Sequence, residues 1–227
     1  MPRNIERDMI DRPAGSRTLR PATPRPGPQP APCQPPRNRG QLAPRPDARP
    51  SRTLPMKLIH LTDSHLVSGG RTLYGADPRR RLRVTVDSIA AEHPDADLAV
   101  LTGDLTHWAE PEAFAAVRDE IARLPMPVAL LLGNHDARAP FHDAFPSAPR
   151  DPDGFAQQAI DLGGHRLLML DTLDDRSHAG AFCERRRAWL ADRLAETDSP
   201  VLLFMHHPPM PLGMPAMDGL RLRRARP

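Results

Sequence analysis

Three short polar motifs each follow directly after a run of apolar residues. DSH (63–65) follows KLIHLT, GD (103–104) follows DLAVLT, and GNHD (133–136) follows VALLL. A fourth apolar run, VLLFM, ends in HHPP (206–209). Carboxylate, amide and imidazole groups are ligands of divalent metals, so this combination is typical of a hydrolase that uses two metal ions.

The first two motifs are weak when taken one at a time. Asp63 and His65 are two positions apart, so an extended segment would direct both side chains to one face, where they could share a cation. Gly103 allows a tight turn, and the two oxygens of Asp104 could bridge two metal ions. The alternatives are a capped strand end with a surface histidine and an ordinary turn after a strand.

The GNHD motif (133–136) is more specific. The Asn134 amide is a neutral ligand that limits the negative charge of a site, and a neighbouring imidazole polarised by an acid can contact substrate oxygens. Turn-forming residues could also account for GNHD alone, and HHPP alone could be a rigid loop with a packed histidine. Four such motifs in order, each after an apolar run, make coincidence improbable.

Short apolar runs alternate with stretches of helical period from Met56 onward, which predicts an α/β domain with a largely parallel sheet. The predicted strands are Lys57–Thr62, Leu98–Thr102, Val128–Leu132, Arg166–Leu170 and Val201–Met205. The predicted helices are Arg79–Glu92, Pro111–Arg123 and Arg185–Glu196. All four motifs then fall at the carboxyl ends of strands, where ligands bind in such sheets.

Residues 1–55 differ in composition from the rest of the chain. They hold 14 of the 29 prolines and eleven arginines against four acids, a net charge of +7. Because the whole chain carries +3, residues 56–227 carry −4. We predict a disordered arm with polyproline II character, because it has too little apolar surface to form a core. It is either an arm that attracts RNA or a membrane, or a spacer or upstream sequence without a role.

The sequence predicts a cytoplasmic protein without a membrane partner. No apolar stretch approaches the ~20 residues of a membrane span, and no apolar signal-peptide region follows the N-terminal charges. Cys33 lies in the arm and Cys183 in the body, and neither has the spacing of a metal or redox motif.

The chain resembles the calcineurin-like metallophosphoesterases, whose pattern is D-x-H, G-D, G-N-H-[DE], a histidine after a strand, and G-H-x-H. The closest likeness is to bacterial class III cyclic-nucleotide phosphodiesterases, through LYGAD (73–77), GDLT (103–106), LDT (170–172) and HHPP (206–209). The resemblance covers about residues 56–222. It implies an α/β fold with a metallophosphoesterase-type β-sandwich flanked by helices, followed by a basic tail at 223–227.

The resemblance also implies roles for individual residues. Asp63 and His65 would hold one metal ion, Asp104 would bridge two, and Asn134 and His206 would hold the second. His135 would face the phosphate, oriented by Asp136. The residues expected to line the substrate pocket are His107, His178 and His207. His207 corresponds to no certain ligand, and the alternative for it is a position behind the metal ligands.

The implied reaction is the hydrolysis of a small phosphodiester, such as cAMP, by attack of a hydroxide that bridges two ions of Mn, Fe or Zn. Nucleic acid is not favoured as a partner, because the body is acidic and has no aromatic-basic motif; a homodimer is left open. None of the twenty residues after His207 is a histidine, so the G-H-x-H motif is absent. We therefore expect an incomplete C-terminal half and doubtful occupancy of the second metal site. The alternative function is a weakly active or inactive remnant of the family.

Overall fold

The computed structural model describes residues 55–223. The predicted arm lies outside the described residues except for Pro55, and the predicted basic tail lies outside them except for Arg223. Six strands, five α-helices and one short 3-10 helix, Ser68–Gly70, are found within the described part of the chain. The strands are β1 Leu58–Leu61, β2 Leu98–Thr102, β3 Val128–Leu131, β4 Gln158–Leu162, β5 His165–Met169 and β6 Val201–Phe204. The helices are α1 Pro78–Glu92, α2 Pro111–Ile121, α3 Arg138–Ala144, α4 Glu184–Ala195 and α5 Pro215–Asp218.

The first sheet is parallel and has the order β1-β2-β3. Leu58 pairs with Leu98, and Ala99 pairs with Val128, so the three strands begin and end at similar positions along the sheet. Their carboxyl ends therefore lie side by side at one edge of the sheet. This is the arrangement predicted from the apolar runs, and the loops that carry DSH, GD and GNHD all leave from that edge.

The second sheet has the order β4-β5-β6 and is mixed. β4 and β5 form an antiparallel hairpin through Gly163 and Gly164, whereas β5 and β6 are parallel. The prediction of a largely parallel sheet is therefore wrong for β4, which was not predicted as a strand. Its sequence, QAIDL, is short, and Asp161 interrupts its apolar residues; that acid is paired across the hairpin with Arg166.

The two sheets face each other, and alternate residues of β2 contribute to two separate apolar cores. Ala99 and Leu101 pack towards the helices, whereas Leu98 and Val100 pack with residues of β5. All five residues of β2 are buried. The expected sandwich of two sheets with flanking helices is therefore confirmed.

Helices α1, α2 and α4 begin and end within two residues of their predicted bounds. Asp77 caps α1 by accepting a hydrogen bond from the Arg80 amide, and Pro78 occupies the first turn, where its missing amide hydrogen costs nothing. The seven-residue helix α3 was not predicted, because its sequence is too short to show a period. No helix between residues 55 and 223 is long and apolar enough to cross a membrane.

Glu120 joins α1 and α2 through three arginines. Its carboxylate is 2% exposed and accepts hydrogen bonds from Arg79 (2.8 Å), Arg83 (2.7 Å) and Arg123 (3.2 Å). The bond from Arg83 lowers the pKa of Glu120 to about 2, and it outweighs the opposing effect of burial. The carboxylate is thus charged in the folded protein down to strongly acidic pH.

Glu120→Gln should lower the free energy of unfolding at pH 7 by about 1.5–3 kcal/mol, the range for hydrogen bonds to charged groups. Because the folded pKa lies below the unfolded one, this contribution is complete above the unfolded pKa and disappears as the pH falls towards 2. Urea unfolding at pH 7 and pH 3 measures it. A difference between variant and wild type that stays constant over this range would contradict the assignment.

Candidate metal centre

Main-chain hydrogen bonds hold the loops after β1 and β2 together. The His65 amide donates to the Asp104 carbonyl (2.8 Å), the Leu66 amide to the Leu105 carbonyl (3.0 Å), and the His107 amide to the Leu66 carbonyl (2.9 Å). The two loops therefore continue the pairing of their strands for several residues. Their side chains are consequently placed by the main chain of the sheet.

The DSH segment is not extended, contrary to the prediction. Asp63 and His65 have φ angles of 57° and 44°, in the left-handed region that non-glycine residues rarely adopt. The two side chains nevertheless converge, because His65 Nε2 lies 3.5 Å from Asp63 Oδ1 and 3.6 Å from Asp104 Oδ2. The two side chains thus lie together through a geometry other than the predicted one, and their sharing of one cation stays a prediction.

Two glycines allow the loops to approach this closely. A Cβ atom on Gly103 would lie 2.6 Å from His206 Nδ1, and one on Gly133 would lie 2.1 Å from Asp104 Oδ1. Both distances are shorter than van der Waals contact. Any side chain at these two positions would therefore push the loops apart.

Asp104 is the central acid of the cluster and is 4% exposed. Its Oδ2 faces His65, whereas its Oδ1 lies 3.4 Å from His206 Nε2 and accepts the His135 amide hydrogen at 2.9 Å. The two oxygens of one carboxylate thus face two different imidazoles. Asp104 could therefore offer one oxygen to each of two cations.

His206 is oriented by a backbone carbonyl. Its Nδ1 lies 2.9 Å from the Thr102 carbonyl, which can only accept, so Nδ1 carries a proton. Nε2 then faces the cluster, 3.2 Å from Asn134 Oδ1. Histidine ligands of metals are commonly held this way, with the second nitrogen donating to a carbonyl.

The cluster contains two carboxylates, Asp63 and Asp104, whose negative charge a cation would balance. Burial lowers the pKa of His206, but the hydrogen bond to Asp104 outweighs it and raises the pKa to about 9. Burial likewise raises the pKa of Asp104, and the bond from His206 outweighs it and lowers the pKa to about 2. A proton on His206 thus supplies positive charge next to the carboxylates of Asp63 and Asp104.

These residues fit a divalent metal. One ligand atom from each of Asp63, Asp104 and His206 lies within 4.8 Å of the others, and the Asn134 and His65 ligand atoms lie next to this group. Oxygen and nitrogen donors without a thiolate suit Mn, Fe or Zn. The structure thus brings together all five residues that were predicted as metal ligands.

A second cluster contains three imidazoles. The rings of His107 and His135 are stacked with centroids 4.6 Å apart, and His107 Nδ1 lies 3.3 Å from His65 Nδ1. Burial, with a smaller effect from the charge of His135, lowers the pKa of His107 to about 4. His107 is 5% exposed and was predicted only as a pocket residue. The sequence contained no signal for its stacking on His135.

The His135 ring is positioned by His107 and not by Asp136. His135 Nδ1 donates to the His107 carbonyl at 2.9 Å. The Asp136 carboxylate instead accepts from the amides of Leu105, Thr106 and Gly133, and from the Thr106 hydroxyl, all at 3.0–3.1 Å. The expected orienting role of Asp136 is therefore wrong, because its oxygens are occupied by the loops after β2 and β3. Burial raises the pKa of Asp136 to about 6, although the hydrogen bonds from these donors act to lower it.

Asp136→Ala should destabilise the domain by about 3 kcal/mol or more, because several buried donors would each lose a partner at about 1–3 kcal/mol. Thermal unfolding measures the effect. Asp143→Ala, which removes an exposed acid from α3, is the matched control and should leave the melting temperature nearly unchanged. Equal melting temperatures for the two variants would show that Asp136 does not hold the loops.

The two remaining predicted pocket residues differ in their surroundings. His207 is 1% exposed; its Nδ1 pairs with the Thr172 hydroxyl (2.7 Å) and its Nε2 with the His178 carbonyl (3.2 Å). The expectation that His207 contacts substrate is therefore wrong, because its ring is enclosed and both nitrogens are used. His178 is exposed, and its Nδ1 lies 3.2 Å from Asn134 Nδ2. Its place at the mouth of a pocket stays a prediction.

A family model described as calcineurin-like phosphoesterase matches residues 56–226. The chain belongs to this family. The match includes every residue of the metal cluster and of the imidazole cluster. The loops that carry these residues therefore lie wholly within the family's domain.

Several curated proteins are similar to this chain. A probable cyclic nucleotide phosphodiesterase of Rhodopseudomonas palustris is 44% identical over 74% of this chain and 62% of its own length. A glycerophosphodiester phosphodiesterase of Enterobacter lignolyticus is 32% identical over 72% of this chain and 60% of its own. The 3',5'-cyclic adenosine monophosphate phosphodiesterase of Pseudomonas aeruginosa is 29% identical over 77% of this chain and 63% of its own length. The chain thus spans about three fifths of the length of these relatives.

A solved structure shares the fold. The purple acid phosphatase PPD1 from yellow lupin seeds matches 79% of this chain and 35% of its own chain, with a TM-score of 0.54 and 15% sequence identity. At this identity the likeness concerns the arrangement of sheets and helices only.

Proposed function

We propose that this chain is a metal-dependent phosphodiesterase that acts on small phosphodiesters. The observation that carries the proposal is the buried Asp104 carboxylate, whose two oxygens face His65 on one side and His206 on the other. A carboxylate between two sets of ligands would suit a centre that holds two metal ions. The names of the relatives support a phosphodiester as the substrate.

The residues that would hold the ions are Asp63, His65, Asp104, Asn134 and His206. When bound, divalent ions stabilise the charge on phosphate oxygens and supply a hydroxide nucleophile at neutral pH. Manganese, iron and zinc all suit these donors.

The chain's own contribution to the chemistry centres on His135. Its Nδ1 proton is donated to the His107 carbonyl, so Nε2 is the nitrogen that can exchange a proton with the substrate. In the proposed reaction a P–O ester bond breaks and a P–O bond to hydroxide forms. Because burial lowers the pKa of His135, its Nε2 first takes up a proton from solvent and then passes that proton to the departing alkoxide. The stacked His107 ring restricts the motion of His135 during that transfer.

Among small phosphodiesters, cyclic nucleotides such as cAMP are the first substrates to test. The relative from Rhodopseudomonas palustris is named as a probable cyclic nucleotide phosphodiesterase, and the one from Enterobacter lignolyticus as acting on glycerophosphodiesters. A homodimer stays a prediction, which size-exclusion chromatography with light scattering would test.

Metal removal and restoration test the proposal. The protein treated with EDTA should not hydrolyse bis(p-nitrophenyl) phosphate or cAMP, and hydrolysis should return when Mn²⁺ is added. Zn²⁺ and Fe²⁺ are tested in parallel, because the donors do not select one metal. Hydrolysis that persists without metal, or no hydrolysis with any of the three ions, would contradict the proposal.

The number of ions per chain is a separate prediction. The five residues proposed as ligands offer two imidazoles, two carboxylates and one amide. Five ligands are few for two ions, so we expect fewer than two tightly bound ions per chain. Elemental analysis after gel filtration measures the ratio. Two ions per chain together with fast hydrolysis would contradict the prediction and require ligands from a second copy.

A further inference from the structure

Tyr74 occupies a backbone position that rarely carries an aromatic residue. Leu73 and Ala76 exchange two main-chain hydrogen bonds, of 2.8 and 3.0 Å, and enclose Tyr74 and Gly75 at φ angles of 51° and 77°. A two-residue turn with both φ angles positive is the type I′ turn, which favours asparagine, aspartate and glycine. Backbone strain of this kind is most often found at functional sites.

The Tyr74 ring is exposed beside the imidazole cluster. Tyr74 is the only tyrosine of the chain, and it is 68% exposed. Its centroid lies 5.9 Å from that of His107, with the rings nearly perpendicular. Because His107 also stacks on His135, one imidazole lies between the Tyr74 ring and the residue proposed to face the phosphate.

A cavity of about 300 Å³ lies between this turn and the first turns of α1. Asp63 and His65, two of the proposed metal ligands, line it together with Tyr74. The rest of the wall is mostly apolar and includes Leu61, Leu73, Ala76, Pro78, Leu82 and Leu101. A phosphate bound at the metal centre would therefore have this cavity next to one of its ester groups.

We propose that Tyr74 and this cavity form the subsite for an aromatic heterocycle carried by the substrate; this inference rests on the proposed phosphodiesterase function. An aromatic ring can stack on Tyr74 and cover apolar wall, and both contacts favour binding. A glycerol group would place its hydroxyls against that apolar wall. The hydroxyls would lose their hydration without gaining new hydrogen bonds, which disfavours binding.

Arg81 adds a polar contact at the same cavity. Arg81 is one of the residues that line the cavity, it is exposed, and its guanidinium has no ion pair among residues 55–223. Guanidinium groups donate to ring heteroatoms and stack on aromatic faces. Nucleobases offer both features, so the subsite is suited to a nucleotide more than to a simple aryl ester.

Binding of two phosphomonoesters tests the subsite without turnover. Adenosine 5'-monophosphate and glycerol 3-phosphate carry the same phosphate and differ in the organic group. Isothermal titration calorimetry with Mn²⁺ present would compare them on wild type, Tyr74→Asn and Tyr74→Phe. Asparagine accepts positive φ, so Tyr74→Asn removes the ring while it keeps the turn. Leu194→Ala, an exposed position in α4, is the remote control.

Wild type, Tyr74→Phe and Leu194→Ala should prefer the adenine nucleotide by at least about fivefold, the lower end of what one base–aromatic stack contributes. Tyr74→Asn should lose that preference. Equal affinities for the two ligands, no binding of either, or an unchanged preference in Tyr74→Asn would overturn the subsite.

Hydrolysis of bis(p-nitrophenyl) phosphate by the same wild-type sample separates the two proposals. If hydrolysis is absent and the nucleotide preference is present, the proposed function fails while the subsite stands. If hydrolysis is present and the preference is absent, only the subsite fails.

Discussion

Asp104→Ala should weaken Mn²⁺ binding by more than about 100-fold, because even the loss of groups that only orient metal ligands costs about 10–100-fold. Hydrolysis of phosphodiesters should fall to background. The physical reason is that a methyl group contributes no oxygen towards either His65 or His206, whereas the carboxylate faces both. Calorimetric titration with Mn²⁺ and the initial rate with bis(p-nitrophenyl) phosphate measure the two effects.

Two further variants keep this result interpretable. Asp104→Asn has nearly the same volume and should also lose metal, which separates the loss of charge from the loss of packing. Asp198→Ala removes an exposed acid and should bind metal like wild type. Full metal affinity in folded Asp104→Ala would show that this residue is not a ligand.

His135→Ala should lower turnover by about 10²–10⁴-fold, the usual contribution of a general acid or base. Metal affinity should stay close to that of wild type, because the His135 ring nitrogen is hydrogen-bonded to the His107 carbonyl and not to the Asp63–Asp104–His206 group. Steady-state kinetics and metal titration on the same preparation measure both quantities.

Added imidazole distinguishes chemistry from structure in this variant. It should restore part of the activity of His135→Ala if the lost ring exchanges a proton with substrate. His165→Ala, at the first residue of β5, serves as a control for the loss of a histidine elsewhere. A loss of metal as large as that of Asp104→Ala would mean that His135 is a ligand.

The strands that carry the site could be predicted from the sequence because each is a short apolar run that ends at a polar motif. All of β2 is buried, so its run contains no polar interruption and its predicted bounds are correct. β4 could not be predicted in this way. Asp161 is tolerated in β4 because it pairs with Arg166, and Gln158 is tolerated because it lies at the start of the strand. Both reasons depend on the fold.

The ligand set was predictable from residue types and order, but its geometry was not. Asp63 and His65 converge from left-handed backbone, which is set by hydrogen bonds to a loop about forty residues away. Asp136 was predicted to orient its neighbour His135. Its carboxylate instead accepts hydrogen bonds from the amide of Gly133 in its own loop and from two amides in the loop after β2. Contacts of this kind join separate loops, and no local pattern in the sequence records them.

Anomalous diffraction from crystals of this protein soaked in Mn²⁺ tests the central proposal most directly. The expected result is a manganese peak in contact with Asp63, Asp104 and His206, with Asn134 or His65 completing its ligands. A peak held by the imidazoles of His65, His107 and His135 without Asp104, or no peak at a Mn²⁺ concentration that supports hydrolysis, would contradict it.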